Sequence, residues 1–480
     1  MNQTRNTRNG QSTVVRLFAQ LKGQRIRLTV VAVSIIIYIG LSIYNPMYSA
    51  VVIDHLWQSV QAAWKEQTPF AITWTNMGRE LTQLTIQYFF TWIFYYLQSY
   101  LMANVAEHLN LELRNQIARK LNRLPLRFFD QNKAGEILSR VTSDLDKIAD
   151  VLQTGLLKLL VAIGTIIGSL AVMFYYSVPL TCIFLVFMIA SMVIKRIVAK
   201  KNLRCAAQRQ ETIGELTGIV EEYYNGRNVI KAYNHERESL EQVTAAAKKN
   251  QEANQKADFL TNCVNPLIRL LTRLANVVIA IIAGKAMLSG TMTVGVVQAF
   301  FQYVNQTAEP LTEASFMINS LQSALASAKR TFELLDDEEE IPDPQVPAVL
   351  ENAKGNIAFS HVSFGYRPDR ILMKDISFEA KPSTKIAVVG STGAGKTTLV
   401  NLLMRFYEVN GGKITVDGVD AAKMTRSGLR KNFGMVLQDT WLFGGTVAEN
   451  IAYSKPDATR EEIIAAARSA KVDYFIRTMP

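Results

Sequence analysis

KIAVVGSTGAGKTT, residues Lys385 to Thr398, is the stretch on which the reading of this chain turns. A short apolar run of strand composition enters a glycine-rich turn that fits G-x4-G-K-[ST], with a helix expected to start near Lys396. The glycines let backbone N–H groups turn inward around phosphate oxygens at the positive end of that helix. Lys396 adds a point charge between β- and γ-phosphates, and Thr397 offers a hydroxyl to a Mg²⁺ ion bridging the same phosphates. Gly390, Ser391, Thr392, Gly393, Ala394, Gly395, Lys396, Thr397 and Thr398 are therefore the candidate nucleotide-binding residues. By composition alone the pattern arises in about 0.02 chains of this length, so a surface lysine beside a flexible turn is a poor account of it.

Two strands are expected upstream of the loop, in NIAFSHVSF (356–364) and ILMKDISFEA (371–380), so a soluble α/β domain begins near Glu351. Ahead of it DDEEEIPDPQVP, residues 336–347, combines an acidic run with three prolines and reads as a linker. Tyr366 lies 24 residues before Gly390 in a polar turn, where an exposed ring can stack on adenine or simply pack. No N-K-x-D sequence follows the loop, which counts against a GTPase.

Before residue 330 the composition changes. Apolar runs cover about 28–53, 81–106, 151–176, 178–198, 259–288 and 293–326, and a bilayer core needs roughly 20 such residues. Six spans are expected. Arg5, Arg8, Arg16, Lys22, Arg25 and Arg27 precede the first run with no acid among them, whereas the loop after it holds only Lys65 and Arg79 as cations. The positive-inside rule then places both termini in the cytosol. The net charge of +11 is spread over loops flanking the spans, which fits membrane topology and excludes nucleic acid as partner. Cys182, Cys205 and Cys263 lack metal-ligand spacing. Ordinary Gly and Pro contents exclude collagen and intrinsic disorder. Leu113, Ile117, Leu121 and Leu124 keep helical spacing, so the second span is expected to run on into the cytosol.

Charged residues within the last two runs suggest a cavity. Arg269 and Arg273 share a face of the fifth helix, and Glu309 and Glu313 share one on the sixth. Antiparallel helices about a turn near Thr291 bring the two pairs to equal depth, as salt bridges or as groups open to an anionic or zwitterionic amphiphile.

Taken together, the chain resembles the ATP-binding cassette exporters in their half-transporter form, one six-helix transmembrane domain fused to one nucleotide-binding domain. The resemblance covers almost the whole chain and divides it into a basic segment 1–27, a transmembrane domain 28–330, a linker 331–350 and a nucleotide-binding domain 351–480. It implies that Tyr366 stacks on adenine, that Gln438 in VLQDTWLF contacts Mg²⁺ and the attacking water, and that Lys396 and Gln438 carry catalysis. FFDQNKAGEILSRVTSD (128–144) and EEYYNGRNVIKAYNHE (221–236) resemble the family's coupling regions, implying coupling roles for Asn132, Gly135, Glu136, Gly226 and Arg227. Gly135 and Gly226 are expected to permit sharp reversals there. ATP and Mg²⁺ are the implied cofactors, and a second half-transporter, identical or not, the implied partner. Membrane lipid and an amphiphilic small molecule, lipid or peptide complete the set, at the cytoplasmic membrane. A non-pumping ATP-binding regulator is the alternative. No Leu-Ser-Gly-Gly-Gln-like signature, no hydrophobic strand ending in Asp-Glu and no switch histidine occur between Thr398 and Pro480, so the chain reads as a truncated exporter that binds nucleotide without hydrolysing it efficiently.

Overall fold

Apolar runs of membrane-spanning length satisfy their own backbone groups only as helices, and here the helices outlast the runs. The computed structural model describes residues 12–69, 74–367, 369–438 and 440–479, with the backbone alone at 75, 76, 265, 309 and 311–316. The chain forms two units, one of Met1–Leu124 with Asn132–Glu338 and one of Pro125–Gln131 with Glu339–Pro480. In chain order the helices are α1 Thr13–Gln20, α2 Arg25–Lys65, α3 Arg79–Leu121, α4 Leu126–Gln131, α5 Ala134–Val141, α6 Ser143–Asp150, α7 Leu157–Tyr176, α8 Val178–Asn225, α9 Arg227–Tyr233, α10 Glu236–Leu288 and α11 Val294–Asp336. There follow β1 Ile357–Phe364, β2 Met373–Ala380, α12 Lys396–Leu403, β3 Gly411–Val416, β4 Val419–Asp420, α13 Arg426–Arg430, α14 Val447–Ile451, α15 Arg460–Ser469 and α16 Asp473–Arg477.

In the first unit α8 has 48 residues and α10 has 53, about 72 and 80 Å at 1.5 Å per residue against a core of about 30 Å. Each therefore continues far beyond its apolar part, and α3 does the same, burying Leu113 and Ile117 on the face their spacing marked. The first unit is a helical transmembrane region. Four helical stretches among the described residues are long and apolar enough to cross a membrane: Thr13–Lys65, Ala134–Tyr176, Val178–Asn225 and Glu236–Leu288. The second and sixth expected spans lie in α3 and α11, which fall outside that set. In α3 the cause is composition: Gln83, Gln87 and Gln98 lower its apolarity, and its exposed stripe is the stacked ladder Phe89, Trp92, Tyr96, Tyr100 instead of aliphatic side chains.

Phe300 and Tyr303 of α11, Met173 of α7 and Ile279 of α10 are fully buried in one cluster, with Tyr303 Oη donating to the Ile43 carbonyl at 2.5 Å. Small residues let α2 and α7 approach: a Cβ at Gly164 or Gly168 would stand 2.4 Å from Ile39 Cδ1 or 1.9 Å from Ile43 Cδ1. Asp144 of α6, 2% exposed, accepts from Ser327 Oγ at 2.9 Å and from Arg330 Nε and Nη2 at 2.9 and 2.5 Å, which fixes α6 to α11.

The second unit is a small sheet-containing domain. Its sheet is antiparallel in the order β2-β1-β3-β4. Phe359, Val362 and Phe364 of β1 point into its core with Ile414, Val416, Leu402 and Leu429. The step from 359 to 362 breaks simple alternation because the pairing register shifts there, with His361 at φ 51°.

Two expectations change. KIAVVG joins no strand among those described, and its side chains face outward, Val389 at 87% exposure. A strand exists only through a neighbouring ladder, and none of the four strands supplies one beside Lys385–Gly390. The second change concerns 331–350. α11 runs to Asp336, and the acidic run is strapped down instead of hanging free. Arg426, with a side chain 10% exposed, donates to the Ile341 carbonyl at 2.7 Å, Asp343 at 2.9 Å and Glu408 at 2.9 Å. Arg405 supports the same acids, bonding Glu408 at 2.9 Å.

Asp417, at the tip of the β3–β4 turn, accepts the backbone N–H groups of Lys354, Gly355 and Asn356 at 2.7, 3.2 and 2.8 Å. The Asn356 N–H foremost, and then the other two, hold its carboxyl below the usual carboxylate range. A depressed folded-state pKa means that this stabilisation is complete above the unfolded value near 3.9 and is lost as pH falls through the folded one. Asp417→Asn should therefore lower the unfolding midpoint at neutral pH and flatten its decline below about pH 4. Parallel wild-type and variant curves across that window would remove Asp417 as the source.

Candidate nucleotide site

Lys396 opens α12, and the residue before it, Gly395, takes φ 95°, a left-handed value that β-carbon-bearing residues reach only with strain. Space is short as well, because a Cβ at Gly395 would lie 3.0 Å from Met373 Cε and 3.2 Å from Leu372 Cδ2. Gly393 adopts φ 85°. The two inverted glycines turn the loop back over the start of α12, the geometry that aims N–H groups at an anion. Lys396 Nζ donates to the carbonyls of Gly390 and Ser391 at 2.8 and 2.9 Å, which holds the ammonium against the loop.

Tyr366 is 40% exposed and sits on the same site: its Oη and Thr398 Oγ1 are 2.9 Å apart. Its ring meets Phe364 and Tyr407 edge-on, with centroids 5.0 Å away in both cases. Tyr366, Lys396, Thr397, Thr398 and Gln438 line one cavity of about 740 Å³ together with Thr392, Gly393 and Gly395, within the roughly 300–1,000 Å³ of small-molecule sites. Residues separated by 72 positions in sequence, Tyr366 and Gln438, thus meet at one hollow. Gly390, Ser391 and Ala394 are not among its lining residues; the first two act on it through Lys396.

Arg367 and Arg370 also line this cavity, and the sequence reading passed over them. They form an isolated bridge across the turn after β1, with Arg370 N–H donating to the Arg367 carbonyl at 3.1 Å. The signal was present in YRPDR, two cations flanking a turn-forming Pro-Asp, one residue from the aromatic. With Lys396 they make the lining cationic, and no acid is among the described lining residues. Such a wall suits polyphosphate.

Coupling residues are placed differently from expectation. Asn132 and Lys133 are the non-helical residues between α4 and α5, while Gly135 is inside the first turn of α5 with open space around it. Glu136 pairs with Arg140 at 2.6 Å along that helix. Gly226 does separate α8 from α9, at φ −84°, and a Cβ there would stand 3.2 Å from the Glu222 carbonyl oxygen. The left-handed residue of the region is Asn234, φ 56°, which ends α9. Arg227 donates to the Tyr224 carbonyl at 3.1 Å and lies 5.1 Å from that ring. Of the stretch 128–144 only the first four residues fall in the second unit, as part of Pro125–Gln131, where Tyr407 Oη donates to Asp130. Burial, and then the Asp130 carboxylate, push the Tyr407 hydroxyl well above the usual phenol range.

Arg269 and Arg273 are exposed, and neither has a hydrogen bond or ion pair among the described residues. The side chains of Glu309 and Glu313 lie outside the described residues, so the expected pairing is not resolved by the geometry.

Comparison with known proteins fits this arrangement of a helical region ahead of a phosphate loop. A family model for the ABC transporter transmembrane region matches residues 28–311, and one for the ABC transporter nucleotide domain matches residues 373–479. The chain belongs to the ABC transporter family. This ABC transporter chain is 41% identical over 370 residues to the fatty acid ABC transporter ATP-binding/permease protein of Mycobacterium bovis, an alignment covering 77% of this chain and 58% of that protein. It is 29% identical over 399 residues to the ATP-dependent lipid A-core flippase 1 of Colwellia psychrerythraea, covering 81% and 66%. The chain therefore spans 58% to 66% of the length of these curated relatives.

Proposed function

We propose that this ABC transporter chain acts as one half of an ATP-driven exporter of amphiphilic small molecules or lipids across the cytoplasmic membrane, with a six-span transmembrane domain at 28–330 and a nucleotide-binding domain at 351–480. The observation that carries the proposal is the single cavity in which Tyr366, the phosphate loop and Gln438 converge, in a chain whose other unit is built of membrane-length helices. The names of the relatives, for fatty acid and lipid A-core, support an amphiphile as cargo.

In this mechanism the N–H groups of the inverted loop and Lys396 hold the β- and γ-phosphates, and Arg367 and Arg370, which line the same cavity, add positive charge to it. Thr397 and Gln438 supply the hard oxygen ligands that suit Mg²⁺, which when bound neutralises charge developing on the phosphate oxygens. Tyr366 presents its exposed face to adenine. Gln438 orients the attacking water. Lys396 and Gln438 thereby take the catalytic roles. A single chain has one such site and one wall of a cavity, so a second half-transporter completes the assembly, and alternating access follows from nucleotide binding more tightly to the closed pair. Asp130 on α4 bonds Tyr407, whose ring meets Tyr366, and this bond is the contact to which we assign a coupling role.

Tyr366→Ala tests the base-reading part. Losing one stacking contact costs on the order of 1 to 3 kcal/mol, so ATP affinity should fall about 5- to 150-fold, while inorganic tripolyphosphate, which has no base, should bind the variant and wild type equally. Calorimetric titration of both ligands separates the outcomes: equal losses for the two would mean that Tyr366 supports the loop through Thr398 and does not read adenine.

A further inference from the structure

A cavity of about 720 Å³ opens between α8, α10 and α11 in the membrane unit, apart from the nucleotide site. Phe184, Phe187 and Met188 of α8 with Ile268 and Ala275 of α10 give it an apolar wall. Its other end is cationic, lined by the adjacent Lys195 and Arg196 and, about one helical turn on, by Lys200, and no acid is among the described lining residues. Nothing in the charge pattern of the fifth and sixth runs pointed to these three, because they lie at the end of the fourth run where positive-inside loops are ordinarily basic. Geometry distinguishes them, since Lys195 to Lys200 share the cavity with the aromatic wall.

Distances along α8 set the shape of a ligand. Val178 opens the helix after the short turn at Ser177, so Arg196 lies about 27 Å along it and Phe184 about 9 Å, at 1.5 Å per residue. The cations then stand near the far boundary of a hydrocarbon core of about 30 Å, with about 18 Å of apolar wall leading away from them past its middle. Arg269 and Arg273 of α10 are the sequence neighbours of the lining residues Ile268 and Thr272 and do not themselves line the cavity.

We propose that this cavity binds a long-chain amphiphile with a singly anionic headgroup, a carboxylate or a phosphodiester, its headgroup held by Arg196 and Lys200 and its acyl chain laid along Phe184, Phe187 and Met188. The proposal rests on the export reading above for its role as a cargo site, but the binding itself needs no nucleotide. Long basic side chains at a membrane boundary also snorkel toward headgroups without binding any one of them; that arrangement would be indifferent to what fills the apolar trough.

The test uses the full chain in phosphatidylcholine nanodiscs without nucleotide, with a radiolabelled C18 fatty acid and the C18 alcohol as probes. The acid should bind at least 10-fold more tightly than the alcohol. Arg196→Gln with Lys200→Gln should bring the ratio to near one while the alcohol's affinity holds, and Arg196→Lys with Lys200→Arg should keep the wild-type ratio, which shows that charge and not folding is responsible. Met188→Trp, filling the trough, should weaken both probes. Displacement of the acid by phosphatidylglycerol would identify a phospholipid headgroup as a source, and retention of the acid against it would identify the free acid. An unchanged ratio in the double glutamine variant, or no preference for the acid in the wild type, overturns the site. ATP titration of the same samples keeps the two readings apart: nucleotide binding with no acid preference removes this proposal alone, and acid preference without nucleotide binding removes the export reading alone.

Discussion

Lys396→Ala should abolish tight Mg-ATP binding. The substitution removes the ammonium that the loop holds against its own carbonyls at 2.8 and 2.9 Å, and leaves Arg367 and Arg370 as the charged residues among the described cavity lining. Truncating one partner of a hydrogen-bonded charge pair costs about 2 to 4 kcal/mol, a loss of about 30- to 700-fold in affinity. The unfolding midpoint of the nucleotide-free protein should hardly move, because the two bonds that Lys396 makes are on an exposed loop. Calorimetric titration at matched salt measures the first quantity and a thermal melt the second. Wild-type affinity in the variant would end the assignment of this loop to phosphate, whereas a large drop in the nucleotide-free melt would mean that the lysine is needed for the fold.

Arg426→Ala should be the most destabilising single change in the nucleotide unit. Its guanidinium, 10% exposed, ties the Ile341 carbonyl, Asp343 and Glu408 together and has Glu340 at 3.4 Å. Removing one partner of a buried ion pair costs about 3 to 5 kcal/mol, and because Glu340, Asp343 and Glu408 remain about one third exposed the lower end, about 3 kcal/mol, is the expectation. For a unit of this size that lowers the midpoint by about 10 °C. Arg477→Ala, which breaks an exposed pair with Asp473 at 3.1 Å, should hardly move the midpoint and serves as the comparison. Equal small effects of the two would show that the acidic strap is not held by Arg426.

The contrast between these two residues marks what a sequence displays. The phosphate loop is a local device: Gly393, Gly395, Lys396 and Thr397 carry their function in conformation and charge over a few residues, so the stretch is legible by itself. Gln438 was legible only through family resemblance, and Tyr366 was left between stacking and packing without it, since nothing in a lone tyrosine or glutamine tells which hollow it will line. Arg426 looked like any surface cation, and the acidic run at 336–347 looked like solvated linker, because each conceals its partner 80 residues away. KIAVVG shows the opposite error. Its composition is that of a strand, but strand structure depends on a neighbour that composition does not contain. Gly135 was expected at a reversal on conformational freedom alone, and it lies inside the first turn of α5. Long helices were the most secure part, as spacing such as Leu113 to Ile117 has one physical reading. The limits of apolarity were harder to set, as the glutamines and aromatic ladder of α3 show.

The most direct test of a nucleotide site working on a membrane cargo is ATP-dependent uptake of a fluorescent long-chain fatty acid into inverted membrane vesicles from cells expressing a half-transporter of the relatives' full length that contains this chain. Mg-ATP should drive accumulation above the level seen with a non-hydrolysable analogue, and vesicles carrying Lys396→Ala should show only that lower level. Accumulation by the lysine variant equal to the wild type would contradict the account.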